Sequence, residues 1–338
     1  MKTPTTIDDI QTPALVVDKA VFDANVAQMA QEKPGAALRP HVKAFKSTDL
    51  ARQLVVAGHE TFCAATVREV EGMVREGVGT DLLLANEVLD YTRLGVLVDG
   101  GANITAAVDS DEVLQAVVAA GVRRVLIDVE VGLPRCGCAV SDAGRLADAA
   151  RAAGLDVRGV MGYEGHLMMI MDEATRTERV AESMALLRQA HEAVGGDIIS
   201  GGGTGTYRVN SWTTEIQAGS YCLMDTHYAS LEIPFGIALN VLGTVISVNK
   251  KGWAVSDTGL KSMGMDHGNP SWPGGRVLFC SDEHATLAMD DDKPLPAVGD
   301  RVRLQPAHVD PTIAKHERLW VLDGEKVVDE WRVDLRHW

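Results

Sequence analysis

Three groups of polar residues in this 338-residue chain have the types and spacing that chemistry needs. The first is Arg39-Pro40-His41-Val42-Lys43-Ala44-Phe45-Lys46. A lysine beside an arginine and a second lysine suits Schiff-base formation, because neighbouring positive charge favours the reactive neutral amine. The competing reading is a pair of solvated lysines, since most lysines are exposed. The second group is Ser200-Gly201-Gly202-Gly203-Thr204-Gly205-Thr206. Glycines let successive N–H groups converge on an anion and threonine hydroxyls add donors, so the run reads as a phosphate cradle or as a flexible turn. No Gly-Lys-Ser/Thr ending is present, which excludes a P-loop. The third is His308-Val309-Asp310. In an extended segment, positions i and i+2 point to one side, so a single ion could take both side chains; a salt-linked surface pair is the alternative.

The elements that must position these groups follow from hydrophobic periodicity. Apolar runs at 38–42, 61–65, 81–85, 104–108, 125–130, 157–161, 197–200 and 216–220 read as strands. Helical patterns at 47–57, 66–76, 87–97, 110–120, 142–153 and 172–194 lie between them, several opening on a Ser, Thr or Asp suited to an N-cap. Eight strands alternating with helices predict an α/β fold, a (β/α)8 TIM barrel. A doubly wound open sheet would want a Gly-rich turn after its first strand, whereas this first strand ends in a lysine. Active sites of such barrels sit past the carboxyl ends of the strands. Lys43, Arg135, Tyr163, His166, the 201–206 run and Tyr221 all fall at such ends.

From about residue 234 the helical rhythm stops. Strand-like runs at 241–248, 276–280, 301–305, 319–322 and 327–333 are divided by turns, and 264–275 is a Gly/Pro-rich break. The expected organisation is a barrel over 14–235 and a smaller, mostly β domain over 236–338. Residues 1–13 are expected to join the second domain, and 14–17 to pair with it.

Hydrophobic residues make up 46% and charged residues 23%, as in ordinary globular proteins. A net charge of −15 speaks against nucleic acid or an anionic membrane as partner. An anionic ligand therefore needs a locally positive site. No apolar run approaches the roughly 20 residues that cross a bilayer, and the first ten residues lack a signal-peptide core. The cysteines are Cys63, Cys136, Cys138, Cys222 and Cys280, an odd number with neither zinc-knuckle nor thioredoxin spacing. Free thiols in a reducing cytoplasm are expected.

The 39–46 segment resembles the cofactor-lysine motif of the D-threonine aldolase and D-serine dehydratase family, fold-type III pyridoxal-phosphate enzymes related to alanine racemase. The resemblance continues, in the family's order, through 128–137 with its Arg135-Cys136-Gly137, 163–166, 201–207, 215–225 and 306–312. It implies that Lys43, rather than Lys46, carries pyridoxal 5'-phosphate. It implies further that Arg135 lies near the cofactor's phenolate or the substrate carboxylate, and that Tyr163 packs near the ring. Gly202, Gly203, Thr204, Ser220 and Tyr221 would hold the phosphate, and His308 with Asp310 a divalent ion. Ala44-Phe45 stands where the family often has Thr-His. A His-x-Asp pair resembles the aldolase type and a His-x-Cys pair the zinc-dependent dehydratases. A carboxylate favours Mn²⁺ or Mg²⁺, with Zn²⁺ as the softer alternative.

His166 is a candidate base toward a β-hydroxyl, or else a rim histidine. Asp282-Glu283-His284 is similar to a family segment near the substrate entrance, or else a solvated turn. Trp212 and Trp272 read as core or interface residues. The resemblance implies a homodimeric lyase acting on a small D-amino acid, and the cysteine usage a cytoplasmic location. Aldol cleavage of a D-threonine-like substrate to glycine and an aldehyde is the first expectation, and dehydration of D-serine or 3-hydroxy-D-aspartate at the same site the second. A non-catalytic pyridoxal-phosphate carrier would resemble a lone barrel, and a metallohydrolase barrel would leave Lys43 unexplained.

Overall fold

Strand β1 (Ala14–Asp18) leads into helix α1 (Lys19–Glu32) and helix α2 (Thr48–Val56). Strand then alternates with helix: β2 (Thr61–Ala64), α3 (Val67–Arg75), β3 (Asp81–Leu84), α4 (Thr92–Asp99), β4 (Ile104–Val108), α5 (Asp111–Ala120), β5 (Arg124–Asp128), α6 (Ala143–Ala152), β6 (Asp156–Gly162), α7 (Glu173–Val194), β7 (Ile198–Gly201) and β8 (Glu215–Ile216). The computed structural model describes residues 3–290 and 293–338. Strands β2 to β8 pair in chain order, every neighbour parallel.

Segment 38–41 closes this sheet into the expected barrel: Leu38 bridges Ile216 on one side and His41 bridges Cys63 on the other, both parallel. The expected first strand at 38–42 is thereby corrected to two isolated bridges. Pro40 has no N–H to give, and Val42–Ala44 turn away as a 3-10 helix. The helix expected at 87–97 also shrinks, to start at Thr92. Asn86 instead caps the carbonyl of Ala65, and the Asp90 carboxylate accepts the Thr92 N–H. Side-chain caps form at Ser47, Thr66, Ser110 and Asp172, as the residue types predict.

Two layers fill the barrel. Cys63, Leu83, Ala107, Leu126 and Met161, one from each of β2 to β6, form an apolar cluster. Near the amino ends of the strands the filling is ionic. Arg39, only 3% exposed, donates to Glu215 at 2.8 Å and lies 3.4 Å from Asp81. Arg158 donates to Asp81 at 2.6 Å and to Thr105 at 2.8 Å, and the Ser200 hydroxyl donates to Glu215 at 2.7 Å. Buried charges are tolerable only when paired in this way.

The remaining strands are β9 (Leu239–Asn249), β10 (Trp253–Ser256), β11 (Arg276–Cys280), β12 (Ala285–Ala288), β13 (Arg301–Leu304), β14 (Arg318–Asp323) and β15 (Lys326–Arg332), with a short helix α8 (Val309–Ala314). They join β1 in one sheet of order β11-β12-β10-β9-β1-β14-β15, with β13 on β9. The expected pairing of the 14–17 run is realised between β9 and β14. Ile7, Ile10, Ala14, Val16, Leu242, Trp320 and Leu322 form its core. Helix α8 overturns the extended reading of 308–310: His308 is extended at the N-cap, but Val309 and Asp310 are helical, with Pro311 in the first turn, where its missing N–H costs nothing. By contacts, the chain divides into one unit of Met29–Lys43, Ala51–Gly219 and Leu335–Trp338, and another of Met1–Gln28, Ala44–Leu50 and Ser220–Asp334. Among the described residues no helix is long and apolar enough to cross a membrane.

The ionic layer yields a stability prediction. Arg39→Met leaves Glu215 buried without its cation and is expected to cost about 3–5 kcal/mol. Denaturant unfolding checks this, and adding Glu215→Leu is expected to recover part of the loss.

Candidate active site

Parallel strands present all their carboxyl ends on one rim, and the barrel's chemically suggestive residues lie along it. Lys43 sits in the turn that follows the His41 bridge, half-buried, with no carboxylate partner among the described residues. Arg135, exposed beyond β5, lies over the Tyr163 ring at 5.3 Å from its centroid, a cation–π arrangement. Tyr163 follows β6 directly, and its ring packs on two glycines. A Cβ at Gly165 would collide with it, and one at Gly203 would stand 3.5 Å from Cε2 and 2.9 Å from the Met168 sulfur. Arg135, Tyr163 and the Gly203 loop are therefore brought together, and Asp128, Arg135, Cys136 and Tyr163 line a small cleft. His166 is exposed in the Gly165–Leu167 turn, its imidazole against Gly132.

The glycine loop after β7 is shaped by a residue that sequence reasoning passed over. Glu164, fully buried, accepts the Gly202 N–H at 3.1 Å, the Thr206 hydroxyl at 2.8 Å and the Asn210 amide at 2.9 Å. The Gly203 N–H donates to Thr206 Oγ1 at 3.2 Å. The Gly202 and Gly203 amides thus maintain the loop's own shape. The Thr204 hydroxyl remains: it is buried and has no hydrogen-bond partner among the described residues. A buried donor without an acceptor is costly, so this loop fits a ligand rich in acceptor oxygens, such as a phosphate ester. The signal for Glu164 was its place inside the Tyr163-Glu164-Gly165-His166 segment.

Asp128 ends β5 and is 5% exposed. Burial pushes its carboxyl well above the usual carboxylate range, reinforced by the charge of Glu87, a hydrogen bond from it and the charge of Asp109, while Arg135 opposes. Donor atoms of Glu87, Asp109 and Cys136 also gather within 4.8 Å. Burial chiefly pushes the Cys136 thiol up to about 11.

In the other unit, Ser220–Cys222 form a 3-10 turn. Tyr221 is fully buried against Phe235, and its hydroxyl has no hydrogen-bond partner. Ser220 is buried, its carbonyl accepting the Leu223 and Met224 N–H groups. Asp225, fully buried, accepts the N–H of Tyr228 at 2.8 Å and of Val309 at 2.9 Å, which fixes the start of α8. Burial raises its carboxyl, and those two bonds hold it back.

His308 meets Asp266, Nδ1 to Oδ2 at 2.6 Å, and stacks on His267 with ring centroids 4.0 Å apart and planes at 9°. Donor atoms of Asp266, His267 and His308 lie within 4.8 Å of one another, a grouping with the donor set of a divalent-metal site. Asp310 stands outside that group, with Oδ1 buried and unpartnered. Asp266 and His267 come from the Gly/Pro-rich break at 264–275, where only the adjacency of an acid and a histidine marked them. Asp282, Glu283 and His284 are exposed between β11 and β12, with Glu283 paired to Lys261. Trp212 and Trp272 are half-buried.

A family model described as alanine racemase, N-terminal domain, matches residues 17–227, and one described as putative serine dehydratase domain matches residues 238–322. A D-threonine aldolase from Arthrobacter sp. is 35% identical over 97% of this chain and 93% of its own. The crystal structure of D-threonine aldolase from Filomicrobium marinum superposes with a TM-score of 0.90 at 32% identity, covering 99% of each chain. D-threo-3-hydroxyaspartate dehydratase from Delftia sp. superposes with a TM-score of 0.87 at 26% identity, covering 98% of this chain and 100% of that one. D-threo-3-hydroxyaspartate dehydratase has also been solved as a histidine-to-alanine variant and as a cysteine-to-alanine variant two positions further on, the latter in a metal-free form. With one model spanning most of the chain and an aldolase relative matching nearly all of it, the chain belongs to the family of D-threonine aldolases and D-serine dehydratases, whose N-terminal domain is that of alanine racemase.

Proposed function

We propose that this protein is a lyase, dependent on pyridoxal phosphate and a divalent metal, that cleaves D-threonine-like β-hydroxy-α-amino acids to glycine and an aldehyde. The observation that carries the cofactor reading is the carboxyl rim of the barrel, where, among the described residues, Lys43 has no carboxylate partner and the buried Thr204 hydroxyl has no hydrogen-bond partner. Lys43 would anchor the cofactor, and Thr204, Ser220 and Tyr221 would hold its phosphate. The Gly202 and Gly203 amides contribute by setting the loop's shape. When bound, the cofactor supplies an electron sink for the carbanion left at Cα.

Arg135, a cation over the Tyr163 ring, would receive the substrate carboxylate or the cofactor's phenolate. His308 and Asp310 would hold the ion, whose charge acidifies a bound hydroxyl. Their spacing equals that of the histidine and cysteine altered in the dehydratase variants, the second of which is metal-free. His166 is the candidate acceptor of the β-hydroxyl proton. Loss of that proton and rupture of Cα–Cβ release the aldehyde, and protonation at Cα leaves glycine. Asp310 in place of a thiolate favours Mn²⁺ or Mg²⁺ and with it the aldolase reading.

Dehydration of D-serine or 3-hydroxy-D-aspartate is the second reading, favoured by the likeness to the Delftia enzyme. Lys43 would then take the Cα proton and hydroxide would leave Cβ. Five free cysteines support a reducing, cytoplasmic setting.

Incubation with D-threonine and with D-serine, each with EDTA or with added Mn²⁺, separates the readings. Glycine plus acetaldehyde, lost with EDTA, is the expected result. A 2-oxo acid plus ammonia would transfer the assignment to the dehydratase, and turnover indifferent to EDTA would remove the role given to His308 and Asp310. Lys43→Ala is expected to abolish the lysine-bound cofactor's absorbance, at about 410–430 nm. Glu164→Ala is expected to weaken cofactor affinity on the order of 10- to 100-fold, because loop-setting hydrogen bonds are worth about 1 kcal/mol each. Fluorescence titration with pyridoxal phosphate measures it.

A further inference from the structure

We infer that Asp266 is a positioning carboxylate for the metal-binding histidine: it fixes the His308 tautomer and ring orientation, with His267 stacked as a brace. The inference rests on the metal reading above. Its ground is the 2.6 Å contact between His308 Nδ1 and Asp266 Oδ2. A carboxylate has no proton to give, so Nδ1 carries it and donates, which leaves the lone pair on Nε2 for an ion. Metal-bound histidines ordinarily donate their second ring N–H in this way, to a carboxylate or carbonyl.

The backbone around the contact is built to hold it. Gly264 bridges His308 in an antiparallel pair, and its N–H donates to Thr312 Oγ1 at 2.9 Å, while the Thr312 hydroxyl donates to the His308 carbonyl at 2.6 Å. No side chain fits at Gly264, where a Cβ would drive into Pro311. This ladder sets the 264–267 segment beside the start of α8. His267 then lies flat on the His308 ring and is itself hydrogen-bonded to the Ala307 backbone. Rotation of His308 would have to break both the stack and the Asp266 bond.

The alternative is that Asp266 and His267 are themselves ligands, since their donor atoms lie within reach of one ion. The 2.6 Å separation argues for a proton between Asp266 and His308, because a shared ion would take roughly 2.0–2.2 Å to each atom. Asp310, two positions on and with a buried, unpartnered oxygen, is the better second ligand.

The test uses the full-length, cofactor-loaded protein, stripped of metal and titrated with Mn²⁺ and with Co²⁺. Asp266→Ala is expected to raise the metal Kd about 10- to 100-fold, with Asp266→Asn between it and the parent. The Co²⁺ absorption bands of the saturated variant should keep their positions, and circular dichroism should show an unchanged fold. An unchanged Kd would sink the inference, and so would displaced Co²⁺ bands, which would make Asp266 a direct ligand. If the parent protein binds neither ion while Lys43 still binds the cofactor, the metal reading itself falls and takes this inference with it.

Discussion

The closure of the barrel by residues 38–41 is the constraint on which the rest of the rim depends. Seven strands make an open parallel sheet with two unpaired edges, and an open edge leaves backbone groups unsatisfied. The closing stave is minimal. The Arg39 N–H reaches the Ile216 carbonyl at 2.8 Å, and the Pro40 carbonyl takes the Cys63 N–H at 2.9 Å. Pro40 withholds one N–H from the ladder, the His41 N–H still reaches the Ala218 carbonyl at 3.4 Å, and the chain then turns at Val42–Ala44, which sets Lys43 just past the bridged segment. Arg39 fastens the stave from inside by its pairing with Glu215. One short segment therefore closes the sheet, anchors its ionic layer and presents the lysine.

Charge is arranged differently at the two ends of the strands. Near the amino ends, Arg39 and Arg158 meet Asp81 and Glu215, and the charges are matched. At the carboxyl end of β5, burial and the charges of Glu87 and Asp109 push the Asp128 carboxyl well above the usual carboxylate range. The consequence concerns Arg135. An ionised Asp128 would compensate the guanidinium; a protonated one leaves its charge for an external anion. A chain of net charge −15 needs such local cations if it is to hold a phosphate and a carboxylate.

Much of the barrel was legible in the sequence, because most strands are short apolar runs with a helical pattern after them. The caps at Thr66 and Ser110 were readable as residue types, and so was the closing number of strands. What was not legible depended on contacts distant in sequence. Glu87 looked like a helix residue, yet its carboxyl serves Asp128, 41 positions on by the numbering. Glu164 was passed over beside Tyr163 and His166, yet three donors surround it. The glycine run predicted amides open to an anion, whereas those of Gly202 and Gly203 were needed to shape the loop.

The metal side shows why residue spacing and geometry can part company. An i, i+2 pair reads as one face only if the backbone stays extended, and Pro311 together with the Asp225 bond to the Val309 N–H makes it helical one residue after His308. The pairing of His308 with Asp310 then no longer follows from strand alternation. It rests instead on the buried, unpartnered oxygen of Asp310, while the contact that alternation could not foresee, Asp266, comes from a segment 42 positions earlier. Composition still carries information here: a histidine and a carboxylate in place of a thiolate make a harder donor set. In the proposed reaction, the choice between breaking Cα–Cβ and losing hydroxide would turn on which proton is removed, the one on the β-hydroxyl or the one on Cα, and on whether His166 or Lys43 would receive it.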